Sequence, residues 1–328
     1  MMKLSIIIPC YNVAQYVPLL LSKLKCQIKN WTNVEVIAVN DGSSDATLEA
    51  LKDMANHFQF LRVLSQENAG PAMARNTGLA YSIGEYIWFV DADDDLSDNC
   101  LSVLLGEIEF NPSDIICFNY RETDMQGRLL NEYKDWKYVY GKITTGLDAY
   151  AQNNIPAFLW NRVIRRDLII NNHIRFDIIP EDEDFLLETY FYAKTFRFIP
   201  DVLYYYKIMI NSFSRGNVKT FVKYYNGYYA MLDKYYVRLE IFRNDVFWAK
   251  MLFNCCKNLV INFNRALILK GDIYDSRYVF YKRLRKEILR YQKNGYTNRG
   301  NYSFLLKIFL CFPCLPDMIA YIKYKLKN

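Results

Sequence analysis

Apolar residues along this chain fall into short dense runs, separated by longer stretches where they recur every three or four positions. Leu4 to Pro9, Val34 to Val39, Leu61 to Leu64, Tyr86 to Val90 and Ile115 to Tyr120 are the dense runs. Runs of this length with little polar alternation suit strands covered on both faces, as in the middle of a parallel sheet. Between them, Val13 to Cys26 carries Val17, Leu20, Leu21 and Leu24 at helical spacing, and the stretch after Asp45 carries Leu48, Leu51, Ala55 and Phe58. Ala72 to Ala80 and Asp98 to Glu109 read as further helices. Ser44 or Asp45, and Ser97, stand where a polar side chain caps a helix. The alternation predicts an α/β fold with a mainly parallel sheet, flanked by helices and joined by right-handed crossovers.

The fourth run leads directly into acids, Glu85 to Asp95 reading EYIWFVDADDD. Ligands of such sheets bind just outside the carboxyl ends of the strands. Asp91, Asp93, Asp94 and Asp95 thus lie where the fold puts its chemistry. Carboxylates this close repel one another and call for a cation, and oxygen-only ligation suits Mg²⁺ or Mn²⁺. The plain alternative is a solvated acidic turn, which fits Asp94 and Asp95 best.

Other nucleotide-binding signatures are missing. No G-x-G-x-x-G follows the first strand, and no G-x-x-x-x-G-K-[ST] occurs. That argues against a dinucleotide dehydrogenase or a P-loop enzyme and leaves a nucleotide held by side chains and strand ends. Tyr11 can stack on a base, and Asp41 can accept from a base N–H. Each also has an ordinary reading, as a loop aromatic and as a turn former.

Composition, the chain start and the charge distribution add to this. The 328 residues are 52% hydrophobic, ample for a core. Eight scattered cysteines with only two histidines suggest reduced buried thiols rather than a zinc site or a disulfide scaffold. The start, Met1-Met2-Lys3, runs straight into a strand-like segment, so no signal peptide is expected. The net charge of +6 is uneven: residues 281–328 hold eleven Lys and Arg against Glu287 and Asp317, which leaves the rest of the chain at −3. From Phe221 onward the chain reads as helices rich in Tyr, Lys and Arg, with Val246 to Leu269 largely apolar. Leu305 to Leu315 is too short to cross a bilayer, and basic residues flank it. A helix lying on an anionic membrane surface, or ordinary packing, accounts for it.

Six segments in order carry a resemblance: SIIIPCYN at 5–12, EVIAVNDGSSDAT at 35–47, QENAGPAMARNTGLAYSIGEYIWFVDADD at 66–94, LWNRVIRRDLI at 159–169, PEDEDF at 180–185 and, more loosely, VLYYYKIMINSFSR at 202–215. Together they resemble the family 2 glycosyltransferases, which have the GT-A fold and transfer sugars from nucleotide diphosphates. The resemblance implies a catalytic domain at 1–215 and a helical, basic region at 216–328.

It also implies roles. Pro9, Tyr11, Asn12 and Asp41 would hold the nucleobase, with Arg75 near the base and phosphates. Asp91 and Ala92 would line the ribose, and Asp93, with Asp91 beside it, would take Mg²⁺ or Mn²⁺. Asp182 matches the family's catalytic base, and Glu181 stands next to it. Trp160 fits an acceptor-side sugar platform or, equally, a core tryptophan. Asn40 departs from the aspartate often found there. Asp182 would head an amphipathic helix, Asp184 to Lys194, whose positive end lowers a carboxylate's pKa. The implied enzyme is an inverting, metal-dependent transferase using a UDP-sugar. Its acceptor would be a saccharide or an undecaprenyl-linked saccharide, in the assembly of surface polysaccharide, capsule or lipopolysaccharide. It would work in the cytoplasm, peripherally on the cytoplasmic face of the inner membrane, with no nucleic-acid partner. The competing class is a non-catalytic sugar-nucleotide-binding or scaffold protein of the same fold, which would have no use for a base at Asp182.

Overall fold

The computed structural model describes residues 2–28, 33–133, 141–152, 158–177, 180–208, 218–238, 247, 250–259, 282–286 and 289–290. The chain divides into two compact units, one of Met1–Asp177 with Glu181–Ile210, the other of Ile178–Pro180 with Asn211–Asn328.

The first unit is built on one nine-stranded sheet. Its strands are β1 (Leu4–Cys10), β2 (Val34–Asp41), β3 (Leu61–Gln66), β4 (Tyr86–Phe89), β5 (Asp95–Leu96), β6 (Ile115–Thr123), β7 (Leu129–Tyr133), β8 (Arg162–Arg165) and β9 (Phe196–Lys207). The order is β3-β2-β1-β4-β8-β6-β9-β5, with β7 added on β6. The first four strands are parallel; β1, β2 and β4 are largely apolar and buried, whereas β3, at the sheet edge, is only partly covered. Beyond β4 the sheet is mixed: β8 runs antiparallel to both β4 and β6, while β6 and β9 pair in parallel. The helices are α1 (Val17–Ile28), α2 (Thr47–His57), α3 (Pro71–Tyr81), α4 (Cys100–Phe110), α5 (Gly146–Gln152), α6 (Arg166–Asn171) and α7 (Glu181–Tyr192).

Several helix starts differ from the sequence expectation: the cap position of α2 is Ala46, not Ser44 or Asp45, and α7 starts at Glu181 rather than Asp184. Helix α1 begins at Val17, not Val13, because the intervening residues are bonded elsewhere. The Val13 N–H donates to Thr47 Oγ1 at 2.8 Å, and the Ala14 N–H to Asp45 Oδ2 at 3.2 Å. Ser97 does not cap α4. Its N–H donates to the Leu203 carbonyl at 3.0 Å, which continues the β5–β9 pairing, and α4 starts three residues later.

One contact fixes where α3 lies. A Cβ at Gly78 would come within 2.4 Å of Ile7 Cγ2, so only glycine lets the helix rest this closely on β1. Arg75, one turn earlier on the same face, is thereby carried to the carboxyl ends of β1 and β4.

In the second unit, α8 (Val218–Arg238) and the helical residues 250–259 bury aromatic and apolar side chains at helical spacing, among them Tyr225, Tyr228, Leu232, Met251, Cys255 and Leu259. Asn258 Nδ2 donates to the Tyr228 hydroxyl at 2.8 Å. The apolar run Leu305 to Leu315, and most of the basic segment 281–328, lie outside the described residues. No helix among the described residues is long and apolar enough to cross a membrane. Cys10, Cys26, Cys100, Cys117, Cys255 and Cys256 are free thiols, all buried except Cys26.

Candidate active site

The loops after β1, β2 and β4 meet at one end of the sheet. Asn12 knots the first two together. Its backbone is left-handed (φ 53°), and its Oδ1 accepts the Ser44 N–H at 2.9 Å. Pro9 lies at the end of β1 beside Val39, and Tyr11 is half exposed above it. A free aromatic face at this place is what base stacking needs.

Asp41 is 2% exposed. Its Oδ1 accepts Gln66 Nε2 at 2.7 Å and the Ala69 N–H at 2.9 Å, and its Oδ2 accepts the Gly70 N–H at 2.8 Å. The carboxylate therefore shapes the 67–70 loop and the entry to α3. All three of these contacts are to Gln66 and to the loop at the helix entry.

Arg75 is the hub. Its side chain is 8% exposed; Nη2 donates to Asp91 Oδ1 at 3.0 Å and Nη1 to Asp182 Oδ1 at 2.9 Å. Asp91 follows β4, whereas Asp182 lies in the first turn of α7. Three aromatic rings bring these segments together. Phe176 and Phe185 stack at 4.0 Å between centroids, and Phe89, the last residue of β4, meets them edge-on at 5.2 and 5.6 Å. Phe185 is three residues after Asp182 and Phe89 two before Asp91, so the cluster fixes the approach of the two carboxylates.

Helix α7 is not amphipathic. Asp184 to Tyr190 are all buried, so the helix is enclosed rather than lying on a surface. The expected lowering of the Asp182 pKa is also overturned. Burial pushes it up to about 6; Arg75 pulls down, but the charges of Asp91 and Glu181 add to the rise. Burial, reinforced by the charge of Asp91, likewise raises Asp93 to about 6. Ala92 and Asp94 are buried, so Asp91 and Asp93 are the partly exposed carboxylates of this turn, close enough for the charge of one to act on the other.

Asp94 is not a solvated turn residue. It is 4% exposed, accepts the Tyr204 hydroxyl at 2.7 Å and the Lys207 N–H at 2.8 Å, and is raised well above the usual carboxylate range by burial. Asp95 is the surface member, paired with Lys23 at 3.0 Å. Trp160 is core: 5% exposed, it stacks on Tyr204 at 4.5 Å and on Phe158 at 4.7 Å. A ring covered on both faces offers no platform to a sugar. Glu181 is partly exposed at the head of α7. Tyr204, Phe176 and Gln66 received no roles in the sequence reading. The available signal for Tyr204 was a tyrosine in a buried strand, whose hydroxyl must find a partner.

Among the described residues no three His, Cys, Asp or Glu side chains converge as a complete metal site. Asp91, paired on one oxygen with Arg75, and Asp93 beside it still fit Mg²⁺ or Mn²⁺ when diphosphate oxygens complete the shell.

A family model described as "Glycosyl transferase family 2" matches residues 5–171, just over half of the chain. A curated relative, "Uncharacterized glycosyltransferase YibD" of Escherichia coli K12, is 31% identical over 223 residues, which cover 65% of this chain and 63% of the relative. The match thus spans less than two thirds of that protein's length. Among solved structures, Staphylococcus aureus TarS residues 1–349 in complex with UDP-GlcNAc superposes with a TM-score of 0.62 at 22% identity, covering 88% of this chain and 81% of that one. The mannosyltransferase PcManGT of Pyrobaculum calidifontis, in complex with GDP-Man and Mn²⁺, gives a TM-score of 0.55 at 16% identity, covering 95% and 87%. At these identities the likeness establishes the GT-A-type fold.

Proposed function

This chain belongs to glycosyl transferase family 2, and we propose that it transfers a sugar from a nucleotide diphosphate, UDP in the first instance, to a saccharide or lipid-linked saccharide. The observation that carries the reading is the Arg75 bridge. It holds a strand-end carboxylate, Asp91, and a helix-borne carboxylate, Asp182, on either side of one guanidinium.

In this reading the donor's base stacks on Tyr11 above the Asn12 and Asp41 loops, and its ribose lies against Asp91 and Ala92. Asp93, with Asp91, would hold a divalent cation on the diphosphate. That cation would supply Lewis-acid neutralisation of the charge gathering on the leaving group. Asp182 would accept the proton of the acceptor hydroxyl, which is a poor nucleophile while protonated. One base and direct displacement imply inversion at the anomeric carbon. The fold neighbours solved with UDP-GlcNAc and with GDP-Man and Mn²⁺ support a nucleotide-sugar donor. Assembly of a surface polysaccharide, with the basic segment 281–328 resting on an anionic membrane face, completes the proposal.

The test is release of nucleotide diphosphate from a panel of UDP-, GDP- and dTDP-sugars, with Mn²⁺ and with excess chelator. Turnover of one donor class that chelation abolishes is expected. No turnover of any donor, or full turnover in chelator, contradicts the reading. Sedimentation with anionic liposomes at low and high salt tests the membrane part separately.

A further inference from the structure

The four-residue turn Asp91 to Asp94 is held from beneath by a residue 110 positions away from its last member. The Asp91 N–H donates to the Tyr204 hydroxyl oxygen at 3.2 Å, and that hydroxyl donates to Asp94 Oδ2 at 2.7 Å. One phenol thus binds the first and last residues of the turn. The second oxygen of Asp94 accepts the Lys207 N–H at 2.8 Å, and the Asp94 N–H closes the turn on the Asp91 carbonyl at 3.3 Å. After the turn the chain enters β5, which pairs with β9 through Asp95 with Tyr205 and Leu96 with Tyr204.

The phenol itself has little freedom. The Tyr204 ring stacks on Trp160 at 4.5 Å and 10°, and the Trp160 carbonyl accepts Trp88 Nε1 from β4 at 2.7 Å. The strand that delivers the turn and the strand that clips it therefore share one support. Tyr204 is fully buried and Asp94 nearly so, and the oxygens of both are taken up by each other and by backbone N–H groups.

An apolar pair could join β5 to β9 without burying a carboxylate. A carboxylate and a phenol buried here are tolerated because each completes the other's hydrogen bonding, and together they define a backbone geometry. We propose that Tyr204 and Asp94 are positioning residues of the donor site, fixing the spacing at which the Asp91 and Asp93 carboxylates meet the nucleotide diphosphate and its cation. The inference rests on the donor-site reading above and adds residues that never contact the donor. Outer partners of this kind orient the groups that do the binding, and their loss weakens metal affinity ~10–100-fold.

The test is Mn²⁺ binding to the full chain in the presence of UDP, read as loss of the free-ion paramagnetic resonance signal. Tyr204→Phe removes the hydroxyl and keeps the ring and its stack. The Mn²⁺ affinity should fall ~10–100-fold, with the near-ultraviolet circular dichroism of the aromatic stack unchanged. Tyr204→Leu should disturb both. Should Tyr204→Phe fail to fold, Asp94→Asn, which preserves volume, carries the same expectation. Wild-type Mn²⁺ affinity in either folded variant would overturn the inference and leave the donor-site reading standing. A wild-type chain that withdraws no Mn²⁺ with UDP present overturns the donor-site reading and this inference with it.

Discussion

Arg75 Nη1 donates to Asp182 Oδ1 at 2.9 Å across a sequence separation of 107 residues. The same guanidinium reaches Asp91, so one side chain ties the donor-side turn to the carboxylate proposed as base. Arg75→Lys keeps the charge but cannot span two carboxylates with a planar fork. Donor affinity and transfer should both fall, by about tenfold or more, the size of one lost charge-assisted hydrogen bond. Arg75→Ala should also lower stability by ~1–2 kcal/mol, a modest figure because both carboxylates are about a third exposed and regain water. Titration calorimetry and thermal melts check this. A variant with wild-type donor binding and wild-type melting would show the bridge to be incidental.

The raised pKa of Asp182 has a definite sign in the rate. The base acts as carboxylate, so kcat/KM should climb with pH through about 6 and then level off. Asp93 is raised to a similar value, so the profile should be taken at saturating Mn²⁺, which removes its titration. Glu181 adds a like charge near Asp182, and Glu181→Gln should move the limb to lower pH. Stability runs the other way: a carboxylate raised by folding favours the folded chain below its ordinary value of 3.8, and that contribution is lost as pH rises through about 6. A limb that stays put in Glu181→Gln would detach it from Asp182.

Asp41 supports a prediction that separates two roles. Three donors converge on its buried carboxylate, two of them backbone N–H groups at the entry to α3. Asp41→Ala should cost ~1–3 kcal/mol of stability by leaving them unpaired, and nucleotide binding should weaken with it. Gly42→Ala should act in the same direction. Its φ is +65°, and an added Cβ would lie 2.6 Å from the Asn68 backbone nitrogen. Denaturant unfolding decides: lost nucleotide affinity at unchanged stability would make Asp41 a reader of the base and nothing more.

How much could be read beforehand follows from what each residue answers to. The parallel strands β1, β2 and β4 were legible because burial on both faces leaves little polar alternation, β3 from its short apolar run alone, and the turn beyond Val90 because acids interrupt the β4 run. The antiparallel insertion of β8 was not, since Arg162–Arg165 is four residues long and half basic. Trp160 had two open readings, and only the rings above and below it choose between them. Asp182 was placed at the positive end of its helix, but its pKa depends on burial and on Asp91 and Glu181, and the proximity of Asp91 is a tertiary fact. Asp94 looked like its partly exposed neighbour Asp95 because nothing local announces a phenol arriving from β9.

The base assignment faces two nearby rivals, and the fold removes one. Asp184 is fully buried within α7, out of reach of an acceptor hydroxyl, whereas Asp182 and Glu181 are both partly exposed. Asp182→Asn is nearly isosteric and can still accept from Arg75 Nη1 through its amide oxygen. The bridge and the donor pocket should therefore survive while the proton acceptor is lost. Transfer should drop by ~10²–10⁴, the range for removal of a general base, with donor affinity within a few-fold of wild type. Single-turnover transfer alongside equilibrium nucleotide binding makes the measurement. Turnover close to wild type in Asp182→Asn, together with a collapse in Glu181→Gln, would hand the role to Glu181.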